Sequence, residues 1–346
     1  MCLFVFIIFD RLNTINFKDI MNNIKESEKL IELKNKFDNE ISKIIIGQKE
    51  IINQIFIALL SNGHIILEGV PGLAKTLLIN SISKALDLNF NRIQFTPDLM
   101  PTDITGTEII QQNQTTGERE FKFYKGPIFS NIILADEINR TPPKTQSALL
   151  EAMQERSVTN AGKRYDLDKP FFVLATQNPI EQEGTYPLPE AQLDRFLMNI
   201  RISYPDQSAE RKILNLSNEK NDASPKNILP SNELLEIQNF IKEIPVGESV
   251  VQYILNIIKQ SRPETSEVKS VKENILWGPS PRASQALMTT CRAKAFLENR
   301  YSPSIFDVQS LVKPILSHRL KLNISAKAEN INIEEILDDV MNHIKN

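Results

Sequence analysis

Lysine followed by a hydroxyl residue, behind a short glycine-bearing loop, is a combination that can hold phosphate. Gly69, Val70, Pro71, Gly72, Leu73, Ala74, Lys75 and Thr76 form such a run. In this pattern the loop N–H groups and the N-terminus of the following helix surround the phosphate oxygens. The lysine reaches the β and γ oxygens of a nucleotide, and the hydroxyl is a ligand for Mg²⁺. The pattern asks for glycine at position 74, where this chain has alanine. Ala74 still lets the backbone approach a ligand if its φ is negative.

Two carboxylates complete the constellation. Asp136 and Glu137 close the apolar run Asn131-Ile-Ile-Leu-Ala, 61 residues beyond Lys75. Asp136 is the candidate Mg²⁺ ligand alongside Thr76, and Glu137 the group to orient or deprotonate an attacking water. A second apolar run, Phe171-Phe-Val-Leu-Ala-Thr176, leads into Gln177-Asn178-Pro179. Asn178 is either an ordinary turn residue before proline or a hydrogen-bonding partner for a phosphate or that water.

These residues need a scaffold, and the flanking sequence describes one. His64-Ile-Ile-Leu-Glu68 reads as a short buried strand leading into the glycine loop. After it, Leu78, Ile82, Ala85 and Leu86 share one helical face. Strand, loop, helix is the context a phosphate loop requires, and acidic residues at strand ends lie where α/β sheets bind ligands. The chain has 11 glycines, and four of them (Gly47, Gly63, Gly69 and Gly72) fall close together around this loop. The predicted fold class is α/β: a P-loop NTPase core with a parallel sheet, followed by a smaller all-helical region.

Composition narrows the rest. The chain has 346 residues, 41% hydrophobic and 24% charged, with net charge −3, an ordinary globular balance. A strongly basic nucleic-acid coat is excluded. Cys2 and Cys291 make neither a disulfide framework nor a cysteine zinc site, and a reducing cytoplasm fits. His64, His318 and His343 show no metal-ligand spacing. The apolar run at residues 3–9 is too short to span a bilayer. It reads as a packing segment, a surface anchor, or the artefact of an upstream start codon. We favour the last, with Met21 as the natural beginning.

Longer blocks then become specific. Ile46-Gly47-Gln48, the loop through Thr76, Gln94-Phe-Thr-Pro-Asp-Leu-Met-Pro-Thr-Asp-Ile-Thr-Gly106 and Leu134-Ala-Asp-Glu-Ile-Asn-Arg140 run in order. Pro142-Pro-Lys-Thr-Gln146, Ala175-Thr-Gln-Asn-Pro179, Pro187-Leu-Pro-Glu-Ala-Gln-Leu-Asp-Arg-Phe196, Ser280-Pro-Arg-Ala283 and His318-Arg319 follow. The chain resembles the MoxR family of AAA+ ATPases, of the helix-2-insert type, over residues 45 to 320. Ala74 is familiar in that family.

The resemblance implies ATP and Mg²⁺ as cofactors and a homo-oligomeric ring, usually a hexamer, with nucleotide sites between subunits. It implies Arg195 as the arginine reaching a neighbour's γ-phosphate, with Arg140 and Arg156, which flank a helix expected over Pro143 to Glu155, as competing candidates. Arg282 is then the sensor arginine touching the nucleotide of its own subunit, and Gly47 and Gln48 lie near the adenine. It also implies chaperone-like remodelling of a protein client, one class of which carries a von Willebrand factor A domain. A magnesium-chelatase-type subunit and a nucleic-acid motor are the alternatives; the acidic pI of about 5.8 speaks against the latter.

Two inserts interrupt the core. Residues 108–125 read as a β-hairpin or bulged helix insert, and 158–167 as a second hairpin. In similar proteins they face the ring pore or its upper surface, and Lys122, Lys125, Lys163 and Arg164 are their candidate client contacts. Beyond Tyr204-Pro205 the pattern turns helical, through Leu234, Ile237, Ile241 and then Val251, Ile254, Ile257 and Ile258. Residues 217–232 read as a linker, and Trp277 as core or hinge. The expected organisation is an N-terminal segment over 1–44, an ATPase core over 45–205 and a helical lid over 206–346.

Overall fold

The computed structural model describes residues 35–70, 72–112, 119–178, 184–216, 225 and 228–345. Residues 1–34, and with them the expectations for the N-terminal apolar run and Met21, lie outside the described residues, as do Pro71, Pro179 and most of 217–227.

After a helical stretch over residues 35–42, helix α1 (Lys49–Leu60) leads into β1 (Ile65–Glu68). Helix α2 (Lys75–Ala85) and β2 (Phe90–Gln94) follow, then the hairpin β3 (Gly106–Gln112) and β4 (Arg119–Lys125). Next come β5 (Ile132–Asp136), helix α3 (Pro143–Glu155), the second hairpin β6 (Ser157–Asn160) and β7 (Lys163–Asp166), β8 (Phe172–Gln177) and β9 (Met198–Arg201). Five strands form one sheet in the order β2-β5-β8-β1-β9. Every pairing in it is parallel. Parallel sheets need cover on both faces, which is why β5 and β8 read as unbroken apolar runs.

Side chains alternate across the sheet. Ile65, Leu67, Leu134, Leu174 and Met198 point to one face, where α1, α2 and the C-terminal helices cover them. Ile66, Ile133, Ala135, Val173 and Ala175 point to the other, where α3 lies with Phe95 and Ile104. The four residues expected on one face of the α2 segment, Leu78, Ile82, Ala85 and Leu86, are all buried. α3 spans the residues expected of it, with Pro143 at its first turn, where a missing N–H costs nothing.

β2 and β9 escaped the sequence reading. β2 reads Phe-Asn-Arg-Ile-Gln and buries only Ile93 fully. An edge strand with polar alternation leaves no apolar run to detect.

Both inserts are antiparallel hairpins. They are tied to one another: the Phe123 and Tyr165 rings stack with centroids 4.3 Å apart, and Asn160 Nδ2 donates to the Gly106 carbonyl at 3.3 Å. The base of the first hairpin is tight. A Cβ on Gly106, whose φ is +98, would meet the Tyr124 carbonyl oxygen at 2.2 Å. Ile110 and Phe121 pair across the ladder and stand exposed.

The C-terminal part comprises α4 (Gln207–Leu216), α5 (Ser231–Glu243), α6 (Glu248–Gln260), α7 (Pro281–Leu297), α8 (Ile305–Leu316) and α9 (Ile333–Lys345). Leu234, Ile237, Ile241, Ile254, Ile257 and Ile258 are buried as their spacing predicted. Three expectations need correction. The region is not purely helical, because β10 (Ile275–Trp277) and β11 (Lys321–Leu322) form a two-stranded antiparallel ribbon. Trp277 is not core: it is 68% exposed on that ribbon. The linker ends earlier than read, since Ser231 already opens α5 behind Pro230. No helix among the described residues is long and apolar enough to cross a membrane.

Candidate active site

The phosphate-type loop leaves the C-terminal end of β1, which lies between β8 and the edge strand β9. Gly69 is required by contact: a Cβ there would meet the Ile202 carbonyl oxygen at 2.9 Å. Gly72 is required by conformation, with φ +85 and open space around the position of a Cβ. Leu73 is buried and Val70 packs on the core, so the loop is anchored on either side of Gly72.

Ala74 corrects the expectation of a negative φ. It sits at φ +54, ψ +27, the left-handed region, as the residue that caps α2. For an L-residue with a Cβ that conformation costs roughly 1–2 kcal/mol. The strain buys direction, because the turn places Lys75 and Thr76 as the first residues of α2, where backbone N–H groups have no partner inside the helix. Lys75 Nζ donates to the Gly69 carbonyl and so folds back over the loop. Burial lowers the Lys75 pKa, and Asp136 and Glu137 act in the opposite sense by favouring its charge.

The carboxylates are brought beside this loop by strand register. Glu68 of β1 lies opposite Gln177 of β8, Ala135 of β5 opposite Ala175, and Asp136 opposite Gln94 of β2. Four strands therefore end in one line. Asp136 Oδ1 accepts the Thr176 hydroxyl at 2.6 Å, and Oδ2 accepts Arg92 through Nε at 3.0 Å and Nη2 at 2.6 Å. Glu137 takes φ +59, and its backbone N–H donates to Thr176 Oγ1 at 2.8 Å. Its Oε2 accepts from Gln94 Nε2 and from Arg140 Nη1, both at 2.9 Å. Arg92, Gln94 and Thr176 were not singled out in the sequence, and β2 carries two of them. Asn178 is buried immediately beyond the end of β8.

The donor set can be tested against Mg·nucleotide. A hydroxyl and a carboxylate are hard oxygen donors of the kind Mg²⁺ takes, and a lysine with helix N–H groups matches phosphate. Among the described residues no group of three or more His, Cys, Asp or Glu could cage a metal alone. A cation here would share its coordination with phosphate oxygens, the usual Mg²⁺ arrangement. The residues fit.

The arginines lie elsewhere. Arg195, Arg282, Arg156 and Arg319 line one cavity of about 360 Å³, together with Asp194, Gly63 and His64. Gly63 and His64 stand at the entry of β1, whereas the phosphate-type loop stands at its exit. Six residues of extended chain separate Gly63 from Gly69, about 20 Å. Arg282 therefore lies with the entry of β1 and away from the loop of its own chain, where a cis contact was expected. It opens α7 behind Pro281 and lies 3.8 Å from Asp194 Oδ2.

The two competitors of Arg195 are committed within their own subunit. Arg156 donates to the Phe171 carbonyl at 3.1 Å and the Asn62 carbonyl at 2.9 Å. Arg140 pairs with Glu137. Arg195 is held through Nη1 to the Leu150 carbonyl at 3.2 Å, while its Nε has no hydrogen-bond partner.

Gly47 and Gln48 precede α1. Gly47 has φ +79, and a Cβ there would meet Ala209 of α4 at 2.6 Å. Gln48 is buried, with Oε1 unpaired. Gly47 and Lys49 border a cavity of about 410 Å³ that Lys212 also lines.

Sequence and structural comparisons agree with this geometry. Residues 64–198 match the profile of the ATPase family associated with various cellular activities (AAA), and residues 269–340 match that of the AAA lid domain. A crystal structure of a protein from Cytophaga hutchinsonii assigned as an ATPase superposes with a TM-score of 0.87 at 44% identity, covering 94% of this chain and 98% of that one. The fold is that of an AAA+ P-loop ATPase with a helical lid region. The chain is 42% identical over 303 residues to Chaperone MoxR1 of Mycobacterium tuberculosis, covering 87% of this chain and 79% of that protein. It is 41% identical over 319 residues to YeaC of Bacillus subtilis, covering 92% and 96%. It belongs to the MoxR family.

Proposed function

We propose that the chain binds Mg·ATP at the end of β1 and hydrolyses it, in a ring of copies that remodels a partner protein complex. The observation that carries this reading is the separation of two half-sites. The loop, Lys75, Thr76, Asp136 and Glu137 lie at the exit of β1, and Arg195 and Arg282 lie at its entry. Neither arginine serves the loop of its own chain, so a complete site requires the entry face of one copy against the exit face of another. Rings, commonly hexameric, solve this because head-to-tail interfaces close.

In this reading the loop N–H groups and Lys75 bind the phosphates. Thr76 and Asp136 hold Mg²⁺, which supplies charge neutralisation at the phosphoryl oxygens when bound. Glu137 takes the proton of the attacking water, or orients that water, and Asn178 holds it in line. Arg195, with Arg282 beside it, meets the neighbour's γ-phosphate. Gly47 and Gln48 border the base, where the unpaired Gln48 Oε1 is an acceptor for an exocyclic amine.

The working units are an ATPase core over 45–205 and a lid over 206–346, in the cytoplasm. The two hairpins carry the client contacts, and a client with a von Willebrand factor A domain fits the remodelling reading. That a relative is named a chaperone supports this role over a chelatase-type motor. The test is a pair of variants. Lys75→Ala should lose nucleotide binding by equilibrium dialysis, and Glu137→Gln should keep binding while turnover falls by about a hundredfold or more. Normal turnover in Glu137→Gln removes Glu137 from its role. Salt-sensitive DNA binding that accelerates turnover would instead favour a nucleic-acid motor.

A further inference from the structure

We infer that Arg319 is a positioning residue for Arg195, a clamp by which the lid sets the arginine offered to the neighbouring subunit. The inference rests on the reading of Arg195 given above.

Arg319 closes the turn after α8, in the C-terminal helical part, and its side chain is 3% exposed. Its guanidinium reaches across to the core and grips both flanks of Arg195. Nε donates to Asp194 Oδ1 at 2.8 Å, Nη2 to the Phe196 carbonyl at 2.6 Å, and Nη1 to the Leu197 carbonyl at 3.1 Å. A longer contact joins Nη2 to the Asp194 carbonyl at 3.4 Å, and Nη1 also donates to the Ile315 carbonyl at the end of α8. All five N–H groups are directed to acceptors, and four of the five acceptors lie on residues 194, 196 and 197. His318 Nε2 adds a contact to the Phe196 carbonyl at 3.1 Å.

The same Asp194 carboxylate accepts the Ser280 hydroxyl at 2.8 Å and faces Arg282 at 3.8 Å. One carboxylate thus fixes Arg319, Ser280 and Arg282 against the backbone that presents Arg195. A buried ion pair is a poor device for stability alone, since well-packed apolar residues do as well. A planar fork that addresses three backbone carbonyls around one residue is suited to holding a position. Displacement of the lid then displaces Arg195.

The experiment compares steady-state ATP turnover of the assembled full chain for Arg195→Ala, Arg319→Lys, Asp194→Asn and the double variants with Arg195→Ala. Lysine keeps the charge but cannot make the fork. Arg195→Ala should lower kcat by about a thousandfold. Arg319→Lys and Asp194→Asn should each lower kcat by about tenfold, as a misplaced catalytic group does, with KM within about twofold. In the Arg195→Ala background Arg319→Lys should lower it no further, because the arginine that its fork places is gone, and Asp194→Asn should lower it only by what Arg282, held on the same carboxylate, still contributes. A purely structural role predicts the same proportional loss in both backgrounds, and that result overturns the clamp. So does unchanged kcat in both single variants while Arg195→Ala is impaired. Unchanged kcat in Arg195→Ala itself retires the reading of Arg195, and the clamp with it.

Discussion

Gln94 donates through Nε2 to the Glu137 carboxylate at 2.9 Å, so the edge strand β2 holds the group to which the proposed hydrolysis assigns the attacking water. Arg140 pulls on the same oxygen. A hydrogen bond to a charged, partly buried carboxylate is worth about 1–2 kcal/mol, or roughly a five- to thirtyfold bias in position. Gln94→Ala should therefore raise basal ATP turnover by about fivefold. A coupled-enzyme assay on the unstimulated protein reads it, and a fall in turnover would make Gln94 an aid to Glu137 instead of a restraint.

Half-sites on opposite ends of β1 make complementation possible. Arg195→Ala and Glu137→Gln should each be inactive alone. Mixed before assembly, they should recover turnover, because an intact Glu137 in one copy meets an intact Arg195 in the next. Recovery approaching a quarter of wild-type sites follows from random mixing of two variants. No recovery would place Arg195 in its own subunit's chemistry.

Two buried imidazoles should make the fold acid-sensitive. His64 accepts the Val173 N–H on Nδ1 at 3.0 Å, which leaves Nε2 to donate to the Met153 carbonyl at 3.2 Å. Burial, aided by the nearby Arg156 charge, pushes its pKa from 6.5 to about 3. Burial and the Arg319 charge hold His318 well below 6.5. The unfolded chain binds protons between pH 6.5 and these lower values and the native chain does not, so stability is full above pH 6.5 and declines as pH falls. For His64 the loss at pH 5 should be about 2 kcal/mol, and His318 adds to it in the same direction. His64→Asn, which keeps an acceptor for Val173, should reduce the difference between urea midpoints at pH 7.5 and pH 5, and an unchanged difference would remove His64 from the acid sensitivity.

Asp307 should add a second contribution that acid removes, at lower pH. It is 2% exposed at the start of α8, where it accepts both terminal nitrogens of Arg300 at 2.6 Å and the Ser304 N–H at 2.7 Å. Burial alone would raise its pKa, but Arg300 and Ser304 outweigh it and bring it below the ordinary 3.8. Its contribution is present above that value and lost as pH falls through the lower native one. Asp307→Asn should cost about 3 kcal/mol at neutral pH, read from the shift in thermal midpoint. A change under about 0.5 kcal/mol would reduce the pair to a surface ornament.

Much of this arrangement was legible in the residues themselves. The loop before Lys75, the acidic pair at Asp136-Glu137, helix α3 and both hairpins follow from local spacing, because each is built from neighbours in the chain. Ala74 was legible as a departure but not as a left-handed residue, since that angle comes from how β1 and α2 are held apart by the core. The placement of Arg282 was not legible at all. Its neighbours Asp194 and Arg319 lie more than thirty residues away on either side, and only packing decides which end of β1 they share. Arg92, Gln94 and Thr176 escaped for the same reason, being joined through strand register and not through sequence. Trp277 misled because its size argues for burial, while a three-residue strand on a two-stranded ribbon offers nothing large enough to bury it.

The hydrophobic cluster on one face of the sheet runs without a break from Ile65 and Leu67 through α1 and α2 into Leu234, Ile257, Leu287 and Leu311 of the C-terminal helices. Swinging such a part open would bare that apolar surface to water, at roughly 25 cal/mol for each square ångström. A rotation of tens of degrees about a joint would have to expose that surface. Shear, the sliding of packed helices by an ångström or two, would leave it covered.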